Sequence, residues 1–150
     1  MKYLNGNDIA LSDPVWWNEG ANVGRVSQIL EKKEQWNLWG LDEPGVFVCM
    51  DFSGKTITDD VFISQNEFEV DGFEQMTLEE DRKIKEAHAK LCLINPNIKS
   101  FAYSILCHKV KQGMKWIFVI SCASSGNKQF YAIYEDTSNI VEITKEEVYQ

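Results

Sequence analysis

The stretch that most constrains this chain runs from Gly113 to Ile143, GMKWIFVISCASSGNKQFYAIYEDTSNIVEI. Trp116, Phe118 and Ile120 alternate there with Ile117, Val119 and Ser121; beyond the SSGNK turn, Phe130 and Tyr134 alternate with Tyr131 and Ile133. A period of two in aromatic and β-branched residues, broken by Ser, Gly and Asn, is the pattern of antiparallel strands joined by tight turns. Ile140 to Ile143 adds a short last strand. A sheet this apolar needs a cover, and the segment before it supplies one.

That segment is Thr77 to Ile94, where the spacing predicts a helix. Thr77 with Glu80 three residues on makes a capping box, Glu79 to Asp81 place acids at the positive helix end, and Asn95-Pro96 stops the run. Ile84, Ala87, Leu91 and Ile94 fall on one face. On the other, Glu79 with Lys83, Asp81 with Lys85 and Glu86 with Lys90 give opposite charges four residues apart, so that face is expected in solvent. A strand from Phe101 to Val110 and a hairpin at Gln112-Gly113 then lead into the meander. Thr144 to Glu147 repeats the capping box and predicts a last helical turn.

The first half has short strand candidates at close spacing: Val15 to Trp17, Arg25 to Leu30, Val46 to Asp51, Lys55 to Thr58 and Val61 to Ile63, with Glu67 to Val70 as a further one. Glu31 to Gly45 is a charged excursion, a helical turn or a loop, closed by Pro44 and Gly45. Several short strands with one excursion fit a small, strongly bent barrel. The expected fold class is therefore α+β: residues 1–66 as a barrel-like domain, 67–76 as an acidic connector, and 77–150 as one helix on a four-stranded antiparallel sheet.

The formal net charge is −8, and it is unevenly placed. Residues 1–95 carry 18 acidic and 9 basic side chains, whereas residues 96–150 carry 5 and 6. An acidic first half argues against nucleic acid or an anionic membrane, because phosphate binding needs the opposite sign; a basic protein surface is the expected partner. The N-terminus lacks the apolar core of a signal peptide and the longest uncharged apolar run, Trp116 to Ala123, is too short to span a bilayer, so a cytoplasmic location is expected. Cys49, Cys92, Cys107 and Cys122 are scattered through apolar segments, which predicts buried, reduced thiols.

No catalytic set emerges. Cys107 and His108 are neighbours on a strand and must point to opposite faces, no Cys or His pair has the short spacing of a zinc site, and no phosphate-binding glycine motif occurs. No cofactor and no metal is expected, and no enzyme activity. Asp59 to Asp81 has more content: nine carboxylates without one lysine or arginine. Most of such a stretch reads as a solvated connector, but Phe68, Val70, Phe73 and Met76 are interleaved with the acids, and apolar anchors ringed by charge are what steered interfaces use. The candidate partner-binding residues are Asp59, Asp60, Glu67, Phe68, Glu69, Asp71, Phe73 and Glu74. The second cluster is Trp16, Trp17, Trp36 and Trp39; adjacent Trp16 and Trp17 must face opposite sides, so one is covered by the second half or left exposed.

The order DIALSDPVWW, GRVSQIL and WGLDEPGVFVCMDFSG over residues 7–65 resembles the Src-homology-three-like small barrels found in bacterial proteins, including immunity proteins of toxin systems. Its landmarks are Asp13, Val15, Gly24, Val26, Trp39, Gly40, Gly45 and Asp51, with Ser12 where such domains often carry glycine. Residues 77–143 resemble cystatin-like and PepSY-like helix-on-sheet modules in pattern. The resemblance implies a non-catalytic immunity protein that binds and neutralises a cognate toxin domain; the alternative is an adaptor that holds a peptide on the barrel.

Overall fold

The computed structural model describes residues 1–52, 60–99, 103–110, 115–134 and 139–148. The expected strand at Lys55 to Thr58, Asp59 and the hairpin tip at Gln112-Gly113 lie outside them.

The first half forms an antiparallel sheet of β1 (Pro14–Trp17), β2 (Asn22–Leu30), β3 (Gly45–Cys49), β4 (Val61–Ser64) and β5 (Glu74–Gln75), in the order β4-β3-β2-β1-β5. Val15, Trp17, Val26, Val46, Val48 and Ile63 project to one side of it and are buried together. The alternation that predicted strands is thus also what gives the sheet an inner face. β4 and β5 are its edges and do not pair with each other, so the described strands make an open sheet where a closed barrel was expected. Between β2 and β3 a short helix, α1 (Lys33–Asn37), fills the charged excursion.

The register between β2 and β3 shifts between Val26 and Gln28. A bulge leaves one residue without a ladder partner and re-aims its side chain. Ser27 is that residue, and its single hydroxyl proton is shared between the Asp60 carboxylate and the Phe47 carbonyl at 3.1 Å.

Glu67 to Val70, expected as a strand, lies instead in a helical turn, α2 (Phe68–Asp71), that follows a 3₁₀ turn over Gln65–Glu67. The Ser64 hydroxyl accepts from the Asn66 amide at 3.2 Å to open the turn, and Gly72, at φ 63°, closes it. The Phe73 amide donates to the Phe68 carbonyl at 2.9 Å, the six-to-one bond of a Schellman end. Gly72 is what the strand expectation overlooked.

The long helix α3 (Leu78–Ile94) begins at Thr77, whose hydroxyl accepts from the Glu80 amide at 3.1 Å. It covers the second sheet, β6 (Tyr103–Val110), β7 (Lys115–Cys122), β8 (Lys128–Tyr134) and β9 (Ile140–Ile143), which is antiparallel in the order β6-β7-β8-β9. Ile84, Ala87, Leu91 and Cys92 pack on Ile105, Cys107, Trp116, Phe118, Ile120, Tyr131 and Ile133. Ile94, expected on that face, is exposed, and Ile98 in the following 3₁₀ turn is buried instead. The same cluster takes in Val23 and Met76 from the first half, so the core under α3 is shared. No described helix is long and apolar enough to cross a membrane.

Trp16 and Trp17 face opposite sides, as neighbours on a strand must. Trp17 is buried in the first core, while the Trp16 ring meets Trp116 with centroids 6.0 Å apart. The Lys109 ammonium lies 5.4 Å from the Trp16 ring and 5.3 Å from the Trp116 ring, a cation held between two indoles where the halves meet.

Candidate protein-binding surface

The acidic stretch is anchored from beneath. Phe68 and Phe73 are fully buried, with ring centroids 4.6 Å apart, and Phe73 further packs on Tyr3 at 5.7 Å and Trp17 at 6.5 Å. As exposed anchors for a partner these two are corrected: they belong to the core of the first half. They bolt α2 against that core, and their burial leaves Glu67, Glu69 and Val70 facing solvent. Val70 is 86% exposed.

The remaining acids divide. Glu67, Glu69 and Glu74 are exposed and Asp71 is half-buried. Among the described residues, Glu67, Glu69 and Asp71 form no ion pair with a lysine or arginine, so their field reaches water uncompensated. Glu74 accepts from the Trp16 indole N–H at 3.0 Å, which ties the edge strand β5 to the junction between halves. Asp60 stands apart from Glu74. It sits at the start of β4, half-buried, holding the Ser27 hydroxyl, whereas Glu74 lies in β5 at the opposite edge of the sheet. Four strand spacings of about 4.8 Å separate those edges. Asp59 lies outside the described residues.

One carboxylate expected in solvent is buried. Asp81 lies at the start of α3 and accepts from the Arg25 guanidinium at 2.6 Å and the Lys85 ammonium at 3.1 Å. Arg25 reaches it from the middle of β2, so this pair ties helix to first sheet.

The sulfur and imidazole groups resolve as separate sites. Cys107 is buried on the helix side of β6 and its thiol is pushed far up by burial; His108 points to the other side, half-buried, with its imidazole held below the usual range by desolvation. On α3, the Cys92 sulfur and His88 Nε2 are 3.7 Å apart, with the imidazole packed on the Phe52 ring at 5.5 Å and on Phe118 at 6.3 Å. All four described cysteines are free. Two are buried and two half-buried, which corrects the expectation that all would be buried. Among the described residues no cluster of three metal-ligating side chains occurs.

No protein-family model, curated protein or solved structure matches the chain. The surface therefore has to be read from its own chemistry.

A second apolar patch lies on the first half. Leu11, Ile29, Leu38 and Trp39 line a shallow groove of about 440 Å³, with Leu38 87% and Trp39 47% exposed. Trp39 packs on Phe47 at 4.9 Å and Phe47 on Phe62 at 5.5 Å, a row of rings across β3 and β4. Neither Leu11 nor Leu38 was singled out in the sequence, because an apolar residue beside others, as in Ile9-Ala10-Leu11 and Trp36-Asn37-Leu38-Trp39, reads as core.

Proposed function

We propose that the chain is a non-catalytic binding protein that receives a basic protein partner on the acidic turn of α2, and that the partner is the toxin domain of a bacterial toxin and immunity pair which it neutralises in the cytoplasm. The observation that carries this reading is the construction of the turn. Two buried phenylalanines hold a short helix whose outward residues are Glu67, Glu69 and Val70, an apolar side chain flanked by carboxylates without a basic neighbour in sequence. Charge around an apolar contact speeds encounter and fixes partner choice, and a preformed turn loses little conformational freedom on binding. No cofactor, nucleic acid or membrane enters it.

The test is binding to a toxin domain, which this proposal expects to be encoded in the gene directly upstream. Wild-type protein is expected to bind it, and Glu67→Lys with Glu69→Lys to weaken binding at least tenfold while melting within about 3 °C of wild type, since exposed substitutions rarely change stability by more than about 0.5 kcal/mol. A folded double variant with wild-type affinity would move the site. The exposed groove of Leu11, Leu38 and Trp39 favours one alternative, an adaptor that holds a peptide on the first sheet; Trp39→Ala then replaces the double charge reversal as the variant that loses the partner.

A further inference from the structure

The outer face of the second sheet, opposite α3, has no role in the reading above. Its register aligns four apolar residues in one row: Leu106 opposite Val119, Val119 opposite Phe130, Phe130 opposite Ile143. The C-terminal 3₁₀ turn (Lys145–Glu147) carries Val148 back over the sheet, where it is buried with Val119 and Ile143. A groove of about 710 Å³ remains between them, within the range of small-molecule sites.

The groove has two unlike ends. Lys128, at the start of β8, and Lys145, in the 3₁₀ turn that follows β9, both line the cavity at that end, exposed, and neither ammonium forms an ion pair with a described residue. Glu142 is the one carboxylate on the described lining, leaving it net positive. On the far side of the apolar row is His108, whose imidazole desolvation holds below the usual histidine range. The backbone groups of β7 and β8, the middle of the floor, are spent in ladders on both sides. A peptide laid across that floor would bury amides without partners, at a cost of about 1–3 kcal/mol each, whereas hydrocarbon loses nothing there.

We infer that this groove binds a small amphipathic anion, an acyl or aryl carboxylate, with its hydrocarbon on Leu106, Val119, Phe130 and Ile143 and its carboxylate between Lys128 and Lys145. The site is independent of the acidic turn, which lies on the first half, and Glu67→Lys with Glu69→Lys leaves it unchanged.

The experiment is calorimetric titration of the full chain with decanoate, kept below its micellar concentration, against decylammonium as the cation of equal length. Decanoate is expected to bind saturably at one site and at least tenfold more tightly than decylammonium. Lys128→Glu with Lys145→Glu, both exposed, is expected to lose at least tenfold for decanoate and to reverse the preference. Leu106→Trp, which fills the groove, is expected to abolish binding of both. Absence of saturable decanoate binding overturns the proposal, as does equal affinity for anion and cation or wild-type affinity in the double lysine variant. Binding of anionic phospholipid vesicles without binding of free decanoate also overturns it, in favour of a membrane surface.

Discussion

Cys107 and Cys122 are carried by paired strands, and their thiols are pushed in opposite directions. Burial alone drives Cys107 up, while Cys122, at the mouth of the β7 to β8 turn, is lowered to about 6 by hydrogen bonds first from the Ser124 and Ser125 hydroxyls and then from their backbone amides. The thiolate is the nucleophile, so a lowered value means reactivity already at neutral pH. Alkylation of native protein followed by peptide mass mapping is expected to modify Cys122 first, at a rate that rises through about pH 6 and levels off above it. Cys107 should stay unmodified until the protein unfolds, and labelling of Cys107 as fast as Cys122 would contradict this account. Gly20 ends the 3₁₀ turn between β1 and β2. Its φ is +89°, and a Cβ placed on it would come within 2.8 Å of the Trp16 ring and 3.0 Å of the Lys109 side chain. Gly20→Ala combines left-handed strain with overpacking and is expected to cost about 2–4 kcal/mol, read as a lower denaturation midpoint with an unchanged slope. An effect below about 0.5 kcal/mol would show that the junction between halves yields freely.

At the scale of elements, what the sequence made legible was periodicity and capping. β7 and β8 follow from alternation, and α3 starts at Thr77 and ends before Pro96 because cap and stop signals act within a few residues. What it hid depends on distant neighbours. α2 looked like a strand because Phe68 and Val70 alternate with acids, and Gly72 with the cap at Ser64 decided otherwise. In the last turn of α3 Ile94 is exposed, and the core is joined instead by Ile98 after the chain turns. Asp81 looked solvated on its own helix, and only the fold brings Arg25 to it. That pair gives the element-scale prediction. Arg25 is about a third exposed and Asp81 mostly buried, so Asp81→Asn should cost about 1–3 kcal/mol, less than a fully buried pair because water screens the guanidinium. In a double-mutant cycle with Arg25→Met, denaturation is expected to give a coupling of about 1 kcal/mol or more, whereas additive single effects would mean that helix and sheet are held by apolar contacts alone.

For the whole molecule, the uneven charge fits how the two halves are built. The acidic first half presents its carboxylates on a turn locked down by Phe68 and Phe73, and the near-neutral second half supplies the shared core under α3. The candidate surface was legible in the sequence as a run of acids, because charge needs no fold to be counted. Its composition was not: which aromatics are core, that Val70 is the exposed apolar residue, and that Asp60 and Glu74 stand at opposite edges are all consequences of strand order. If Glu67 and Glu69 steer a basic partner, the association rate must respond to screening, as the Debye length falls from about 30 Å at 0.01 M salt to about 8 Å at physiological strength. The most direct measurement is the association rate constant with the proposed toxin partner across that salt range, for wild type and for Glu67→Lys with Glu69→Lys. A rate that falls at least tenfold with salt in wild type and stays low and nearly flat in the variant is the predicted result. A rate indifferent to salt, or one that falls equally in both proteins, would contradict the claim that this turn receives the partner.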